Sequence, residues 1–195
     1  MNTNNNNRIV YLSGDITEAN IKDINKQLLT IIYQDEEDDS QKKNFSPQPI
    51  KFFINSFGGS VYDAWSLIDI MLRSKTPIHT YCTGYAMSAG FLIFLAGHQR
   101  FATPNCTMMY HQITAGGRDK YLDLIQNLEE YTRIQDDIEK YVFDMTSISM
   151  DTLREIKDKK VDWYIHSEDF EKFGIAELLS YSVKETCEKW FWLQK

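Results

Sequence analysis

The chain has 195 residues, of which 43% are hydrophobic and 25% are charged, a composition that fits one soluble globular domain with its own core. The net charge of −7 argues against a nucleic-acid partner, because binding a phosphate backbone requires a basic surface. The apolar run from Ala89 to Ala96 is far shorter than the roughly 20 residues that span a bilayer, so we expect no membrane partner.

The predicted domain occupies residues 8–195 and follows an asparagine-rich arm at residues 1–7, which we expect to be disordered. This arm lacks the basic and apolar regions of a secretion signal. The three cysteines are odd in number and have no metal-site spacing, so we expect buried or inert thiols. A reducing, cytoplasmic location is therefore predicted.

Short apolar strands alternate with amphipathic helices along the chain, which is the pattern of an α/β domain. Helices are predicted after Asp15 or Thr17, after Ser60 and after Ser88, because these residues are suitable N-caps. The acidic, proline-containing stretch at residues 34–49 is predicted to be a solvated loop. The predicted strands lie at residues 8–12, 50–54, 78–83, 100–102 and 106–110.

A long amphipathic helix is predicted from about Asp119 to Phe143, after a glycine-containing loop at residues 115–117. Its apolar residues recur every three or four positions, and at 1.5 Å per residue it would extend about 35 Å. Because one small core cannot cover a helix of that length, we expect its excess to pack on a partner chain.

Ser88 is the first candidate for chemistry. It lies among small residues in the segment Gly84–Gly90 and immediately precedes the apolar run that we predict to be a buried helix. Free N–H groups and the helix dipole favour negative charge at a helix N-terminus, so a hydroxyl held there can serve as a nucleophile. The alternative is that Ser88 is only an N-cap.

Gly58 and Gly59 follow the predicted strand at residues 50–54. Paired glycines there allow a ligand to approach bare N–H groups, as an oxyanion hole requires, although an ordinary tight turn is the alternative. Ligands of α/β sheets bind beyond the carboxyl ends of strands. This glycine loop, the Ser88 turn and the segment after Tyr110 all occupy such ends.

His111 ends the predicted strand at residues 106–110, where a base could come within about 3 Å of the Ser88 hydroxyl. A structural or surface role is the alternative for any single histidine. Asp162 is isolated among apolar and aromatic neighbours, so we expect its carboxylate to have a partner such as this imidazole. Asp158 is the rival, but a solvated helix face explains it.

Several short blocks follow one another in a defined order along the chain: RIVYL at 8–12, INSFGGSV at 54–61, GYAMSAG at 84–90, RFATPN at 100–105, MYHQ at 109–112, and DWY at 162–164 with FGI at 173–175. By these ordered blocks the chain, from Arg8 to about Glu177, resembles the proteolytic subunit of the ATP-dependent Clp protease, the ClpP family. This resemblance implies that Ser88 is the nucleophile, His111 the general base and Asp162 the residue that orients the imidazole. The backbone N–H groups of Gly59 and Ala89 would form the oxyanion hole.

The resemblance also implies a crotonase-like fold of repeated ββα units, with a projecting handle at about residues 112–146. It implies a serine endopeptidase that hydrolyses unfolded polypeptides inside heptameric rings of itself, stacked in pairs. An AAA+ Clp-family unfoldase would deliver the substrate. No metal or organic cofactor is expected, and the unfoldase would use the ATP, because this chain has no Walker-type motif.

Several positions depart from the family pattern. Phe57 and Ile113 stand where prolines are usual, and we expect Phe57 to reshape the site entrance. Val161 replaces an arginine that in the family couples ring contact to the geometry of the triad. Two alternatives therefore stay open: a non-catalytic or partner-activated ring subunit, and a crotonase-type acyl-CoA enzyme, which should need a carboxylate base and a CoA site.

Overall fold

A computed structural model describes residues 8–115 and 120–179. The predicted arm at residues 1–7, the loop glycines Gly116 and Gly117, and Cys187 lie outside the described residues. The strands are β1 Ile9–Ser13, β2 Ile50–Ser56, β3 Ile78–Met87, β4 Gln99–Ala102, β5 Thr107–Tyr110, β6 Trp163–Ile165 and β7 Glu177–Leu178. The helices are α1 Glu18–Gln41, α2 Val61–Arg73, α3 Ala89–Leu95, α4 Tyr121–Met145, α5 Met150–Lys159 and α6 Ser167–Phe170.

The sheet is parallel apart from one strand, in the part of the chain that the structure describes. Strands β1, β2, β3, β4 and β7 are neighbours in that order, and each adjacent pair is parallel. Strand β5 pairs parallel with β3, and β6 pairs antiparallel with β5. Parallel strands joined through helices confirm the predicted α/β class.

Strand β3 has two partners in succession on one side. Its first half, from His79 to Cys82, pairs with β4, and its second half, from Tyr85 to Met87, pairs with β5. The β2–β3 register shifts between Ile54 and Ser56, where an irregularity bends the ladder. This arrangement brings the carboxyl ends of β2, β3 and β5 together at one place.

The core lies between the sheet and helices α2 and α3. All seven residues of α3 are buried, as its wholly apolar sequence predicted. Ser60 is the N-cap of α2, and its hydroxyl accepts a hydrogen bond from the Asp63 N–H at 3.3 Å. Cys82 and Cys106 are buried free thiols, as expected from their spacing.

The prediction of a loop across residues 34–49 is wrong for its first half, because α1 continues to Gln41. Asp35, on α1, is buried, and its carboxylate accepts hydrogen bonds from Arg8 at 3.0 and 2.5 Å and from the Thr76 hydroxyl at 2.7 Å. Desolvation acts to raise the pKa of Asp35, but these hydrogen bonds and the Arg8 charge leave that pKa below its usual value. The acidic run therefore anchors the end of α1.

Helix α4 runs from Tyr121 to Met145, within two residues of its predicted bounds. Its 25 residues correspond to roughly 37 Å at 1.5 Å per residue. The second half buries Ile134, Ile138 and Val142. The first half exposes large apolar side chains, namely Tyr121, Leu122, Leu124, Ile125 and Leu128. Helix α4 thus extends beyond the core of its own chain, as predicted.

Two kinds of feature are absent from residues 8–115 and 120–179. No helix there is long and apolar enough to cross a membrane. No group of three or more histidine, cysteine, aspartate or glutamate side chains there is placed to hold a metal ion.

Candidate active site

Ser88 occupies a strained turn between β3 and α3. Its φ of 53° and ψ of −126° lie in a region that non-glycine residues rarely adopt, at a cost of roughly 1–3 kcal/mol. The Ser88 N–H donates to the Met109 carbonyl at 2.8 Å, which fixes the turn against β5. Ser88 is at the N-cap position of α3, but its side chain makes no capping hydrogen bond. The alternative that Ser88 serves only as an N-cap is therefore not supported by the contacts of its side chain.

The Ser88 hydroxyl instead contacts His111. Ser88 Oγ and His111 Nε2 are 2.8 Å apart, a hydrogen-bonding distance. Sheet register explains this meeting, because Met87 pairs with Met109 in the parallel β3–β5 ladder. Ser88 follows Met87 by one residue, and His111 follows Met109 by two, so both lie just beyond the ends of these adjacent strands. A neutral imidazole with its proton on Nδ1 leaves Nε2 free to accept from the hydroxyl.

Asp162 lies on the other side of the imidazole. In the antiparallel β5–β6 ladder Tyr110 pairs with Trp163, so the next residues outward, His111 and Asp162, face each other. Asp162 Oδ1 is 3.6 Å from His111 Nδ1, beyond the usual range of a hydrogen bond. The Asp162 side chain is 56% exposed, whereas that of His111 is 22% exposed. His111 and Asp162 do lie next to each other, as expected, but the Asp162 carboxylate is not buried.

The glycine loop, Gly58 and Gly59, packs directly against Ser88. Gly58 has a φ of 108°, and a Cβ added there would lie 2.8 Å from Ser88 Cβ and 3.1 Å from the Ala89 nitrogen. Gly59 has a φ of 146°, and its added Cβ would lie 2.3 Å from the Ile16 carbonyl oxygen. Both positions therefore require glycine for conformation and for space.

Gly59 and Ala89 border the same cavity as Ser88 and His111. Across residues 8–115 and 120–179, neither the Gly59 N–H nor the Ala89 N–H donates to a backbone carbonyl. Two N–H donors at a helix N-terminus and a glycine loop, beside a hydroxyl paired with an imidazole, are the components that acyl transfer requires.

Comparison with known proteins identifies relatives that match most of the chain. The family model described as Clp protease matches residues 1–180. The chain belongs to the Clp protease family. It is 33% identical over 172 residues to the ATP-dependent Clp protease proteolytic subunit 1 of Prochlorococcus marinus, covering 87% of this chain and 82% of that protein. It is 29% identical over 180 residues to the corresponding subunit of Deinococcus radiodurans, covering 91% and 82%.

A solved structure agrees with this assignment. An Asn-to-Asp variant of ClpP1 from Listeria monocytogenes superposes with a TM-score of 0.75 at 25% sequence identity, covering 92% of this chain and 94% of that chain. The resemblance drawn from the ordered sequence blocks is confirmed, and so is the ClpP-type, crotonase-like fold. Membership of the Clp protease family favours the peptidase over the acyl-CoA enzyme among the alternatives.

The cavity of this Clp protease family member has a volume of about 550 Å³ beside Ser88. Its walls are largely apolar and aromatic. The wall residues on helices are Val61 and Tyr62 of α2, Leu92 of α3, and Tyr131, Ile134 and Ile138 of α4. The sequence predicts most of them to be on buried helix faces. It does not indicate that they line a site, because core positions and pocket walls have the same helical spacing.

Two departures from the family pattern have clear positions in the structure. Phe57 is exposed and stacks on Tyr85 with ring centroids 4.1 Å apart, and it is not among the residues bordering the main cavity. The expectation that Phe57 reshapes the entrance stays a prediction. Val161 is 45% exposed and borders a smaller cavity of about 270 Å³ together with His111 and Asp162. Val161 thus lies beside the outer, Asp162-facing side of the imidazole.

Proposed function

We propose that this chain is a serine endopeptidase that cleaves unfolded polypeptides inside a ring assembly of its own copies. The observation that carries the proposal is the 2.8 Å contact between Ser88 Oγ and His111 Nε2, in a chain of the Clp protease family. The cavity beside that contact suits an apolar side chain of an extended substrate.

In the proposed reaction, Ser88 Oγ attacks the carbonyl carbon of the peptide while His111 Nε2 accepts the hydroxyl proton. The resulting oxyanion accepts hydrogen bonds from the Gly59 and Ala89 N–H groups. Its collapse breaks the C–N bond, and the His111 imidazolium gives its proton to the departing amine. Water then attacks the acyl-enzyme with His111 again acting as base, which releases the acid product and restores Ser88. Asp162 orients the imidazole and stabilises its charged form.

The assembly we propose is a pair of stacked heptameric rings. The exposed apolar side chains on the first half of α4 support it, because such a surface is stabilised when a second copy covers it. The relatives are named as proteolytic subunits of an ATP-dependent protease. We therefore propose an AAA+ unfoldase as the partner that uses ATP and delivers substrate, and the cytoplasm as the location.

The long His111–Asp162 contact favours a second candidate function, a subunit whose triad is completed only by ring contact. The two side chains are 3.6 Å apart at a solvent-exposed edge that includes Val161. A neighbouring copy that covered this edge would exclude water and strengthen the interaction of the carboxylate with the imidazolium. In this case the isolated chain would be inactive and the assembled particle active.

The decisive experiment compares the wild-type chain with Ser88→Ala, measuring peptide hydrolysis, fluorophosphonate labelling and native mass in the same preparations. We expect wild-type particles to cleave peptides and to be labelled at Ser88 alone, and the variant to lose both properties while keeping its native mass. Unchanged turnover by Ser88→Ala would refute the peptidase assignment. Activity and labelling confined to the assembled fraction would favour the partner-completed subunit.

A further inference from the structure

A chain of polar side chains, two of them buried, connects α5 to the segment that follows His111. Lys157 Nζ, on α5, lies 2.8 Å from Glu139 Oε1, on α4. Gln135 Nε2, one turn earlier on α4, donates to the same oxygen at 2.9 Å. Gln135 Oε1 in turn accepts the Ile113 N–H at 2.9 Å. The connection thus ends on the main chain two residues beyond His111.

The burial of this network is unusual for such polar groups. Glu139 is 2% exposed and Gln135 is 7% exposed. A buried carboxylate is costly unless it is paired, and Glu139 is paired with Lys157, whose side chain is 31% exposed. An ion pair with one partner buried in this way gives little net stability compared with apolar residues of the same volume. Folding stability therefore does not account for these residues, whereas a requirement to hold one geometry does.

The charge of Glu139 fixes the direction of every hydrogen bond in the network. An ionised carboxylate can only accept, so the Gln135 side chain must turn its NH₂ group toward Glu139. The Gln135 carbonyl oxygen then necessarily faces Ile113, whose N–H can only donate. A proline in place of Ile113 would have no N–H for this bond.

We infer that Gln135 is a positioning residue for the base, holding the main chain after His111 so that the imidazole stays within reach of Ser88 Oγ. The strand pairing of β5 ends at Tyr110 and fixes the segment on one side of His111. The bond from Ile113 to Gln135 is the anchor on the other side. This inference rests on the proposed role of His111 as general base.

The first test replaces Gln135 by methionine, which has a similar length but no strong acceptor. We expect kcat for a short peptide to fall roughly 10- to 100-fold with KM nearly unchanged, because a misplaced base slows chemistry without altering substrate binding. The rate of fluorophosphonate labelling at Ser88 should fall in parallel. Urea unfolding and native mass, measured on the same protein, show whether the fold and assembly are intact.

Tyr141→Phe is the matched control. It removes another part-buried hydrogen bond of α4, from the Tyr141 hydroxyl to the Leu92 carbonyl at 3.1 Å, which does not lead to His111. We expect its kcat to stay within about twofold of wild type, since only the positioning network should affect the base. Equal losses in Tyr141→Phe and Gln135→Met would overturn the inference, because they would indicate a general effect of disturbing α4.

An exchange of the two side chains gives a second, independent test. Gln135→Glu alone places two carboxylates side by side, so we expect a large loss of kcat. Adding Glu139→Gln restores a donor: the new amide gives its N–H to the carboxylate at position 135 and accepts from Lys157. That carboxylate can again accept the Ile113 N–H. We therefore expect the double variant to recover most of the kcat lost in Gln135→Glu.

His111→Ala separates failure of this inference from failure of the proposed function. If His111→Ala keeps its activity, the assignment of the base is wrong and the positioning role falls with it. If His111→Ala is inactive while Gln135→Met has wild-type kcat and labelling, only the positioning role is wrong. Should Gln135→Met not fold, the exchange decides: a folded double variant no more active than Gln135→Glu overturns the inference.

Discussion

The two contacts of His111 differ in length, burial and origin. On one side Nε2 lies 2.8 Å from the hydroxyl of Ser88, in a cavity wall formed by the core. On the other side Nδ1 lies 3.6 Å from the carboxylate of Asp162, whose side chain is 56% exposed. The first contact is a hydrogen bond by distance, and the second is not.

The cause of this difference lies in the strands that carry each residue. Ser88 and His111 follow β3 and β5, whose parallel pairing is covered by the buried helix α3. Asp162 precedes β6, a three-residue strand that pairs only with β5 within the described residues. The proposed nucleophile and base are thus held by the core. Asp162, the proposed orienting residue, is held at an edge, where any neighbouring chain that packs against it can change its geometry.

The largest expected effect is a loss of kcat that differs between removal of the imidazole and removal of the Asp162 carboxylate. We expect His111→Ala to lower kcat roughly 10⁶-fold and Asp162→Ala at most roughly 10⁴-fold, as in other Ser-His-Asp triads, where loss of the aspartate costs less. Because the contact between Asp162 and His111 is longer than a hydrogen bond, we expect the loss of kcat in Asp162→Ala not to exceed that value. Single-turnover peptide cleavage by the assembled protein measures both.

Asp158→Ala is the control for that comparison, because Asp158 is an exposed carboxylate on the neighbouring helix α5. It should keep wild-type kcat. Equal losses in His111→Ala and Asp162→Ala would contradict the asymmetry and would mean that the carboxylate comes closer to the imidazole in the working particle.

The sequence predicted the core-held side well because that side depends on strand order. Ser88 and His111 each follow an apolar strand, and the ends of adjacent parallel strands meet at one edge of a sheet. The apolar and aromatic neighbours of Asp162 predict a desolvated carboxylate. The residues after it do form β6, but Asp162 itself precedes this edge strand, and its side chain is 56% exposed. The proximity to His111 is present, whereas the expected burial is not, and the orienting role stays a prediction.

Features that depend on tertiary contacts were not predictable in the same way. The acidic residues at 35–39 predict a loop, because their pattern does not show that Arg8 and Thr76 hydrogen-bond to the carboxylate of Asp35 inside the fold. Gln135 and Glu139 have the spacing of ordinary polar positions on an amphipathic helix. Only the arrangement of α4 against α5 and the His111 segment reveals that both are buried.

The second largest expected effect is a loss of stability in Gly59→Ala, which tests how tightly the core holds the loop beside Ser88. Gly59→Ala would force an L-residue to a φ of 146° and place its Cβ 2.3 Å from the Ile16 carbonyl oxygen. We expect the free energy of unfolding to fall by roughly 3–5 kcal/mol, from backbone strain and the clash together. Urea denaturation measures this change.

Gly14→Ala is the matched control for strain without a clash. Gly14 also has a positive φ, of 91°, but an added Cβ would meet no atom within 4 Å. We expect a loss of only about 1–2 kcal/mol there. Equal stability of the two variants would mean that the glycine loop is packed loosely, and it would contradict the view that the core holds the Ser88 side of the site tightly.

The smallest expected effect lies on the edge-held side, at Lys160. This residue ends α5 in the left-handed conformation, with φ 54° and ψ 43°, two positions before Asp162. Lys160→Gly removes the Cβ strain but adds freedom to the unfolded chain, so we expect the free energy of unfolding to rise by no more than about 1 kcal/mol. A freer turn should loosen the approach of Asp162, lowering kcat about two- to fivefold.

Asn44→Gly is the control for Lys160→Gly, because Asn44 has a similar φ of 62° in a segment far along the chain from the site. It should show a similar small change in stability and no change in kcat. A fall in kcat for Lys160→Gly alone would show that the left-handed turn sets the position of the carboxylate. Identical kcat values for the two variants would mean that contacts of the Asp162 side chain itself, rather than the backbone leading to it, determine how it meets the imidazole.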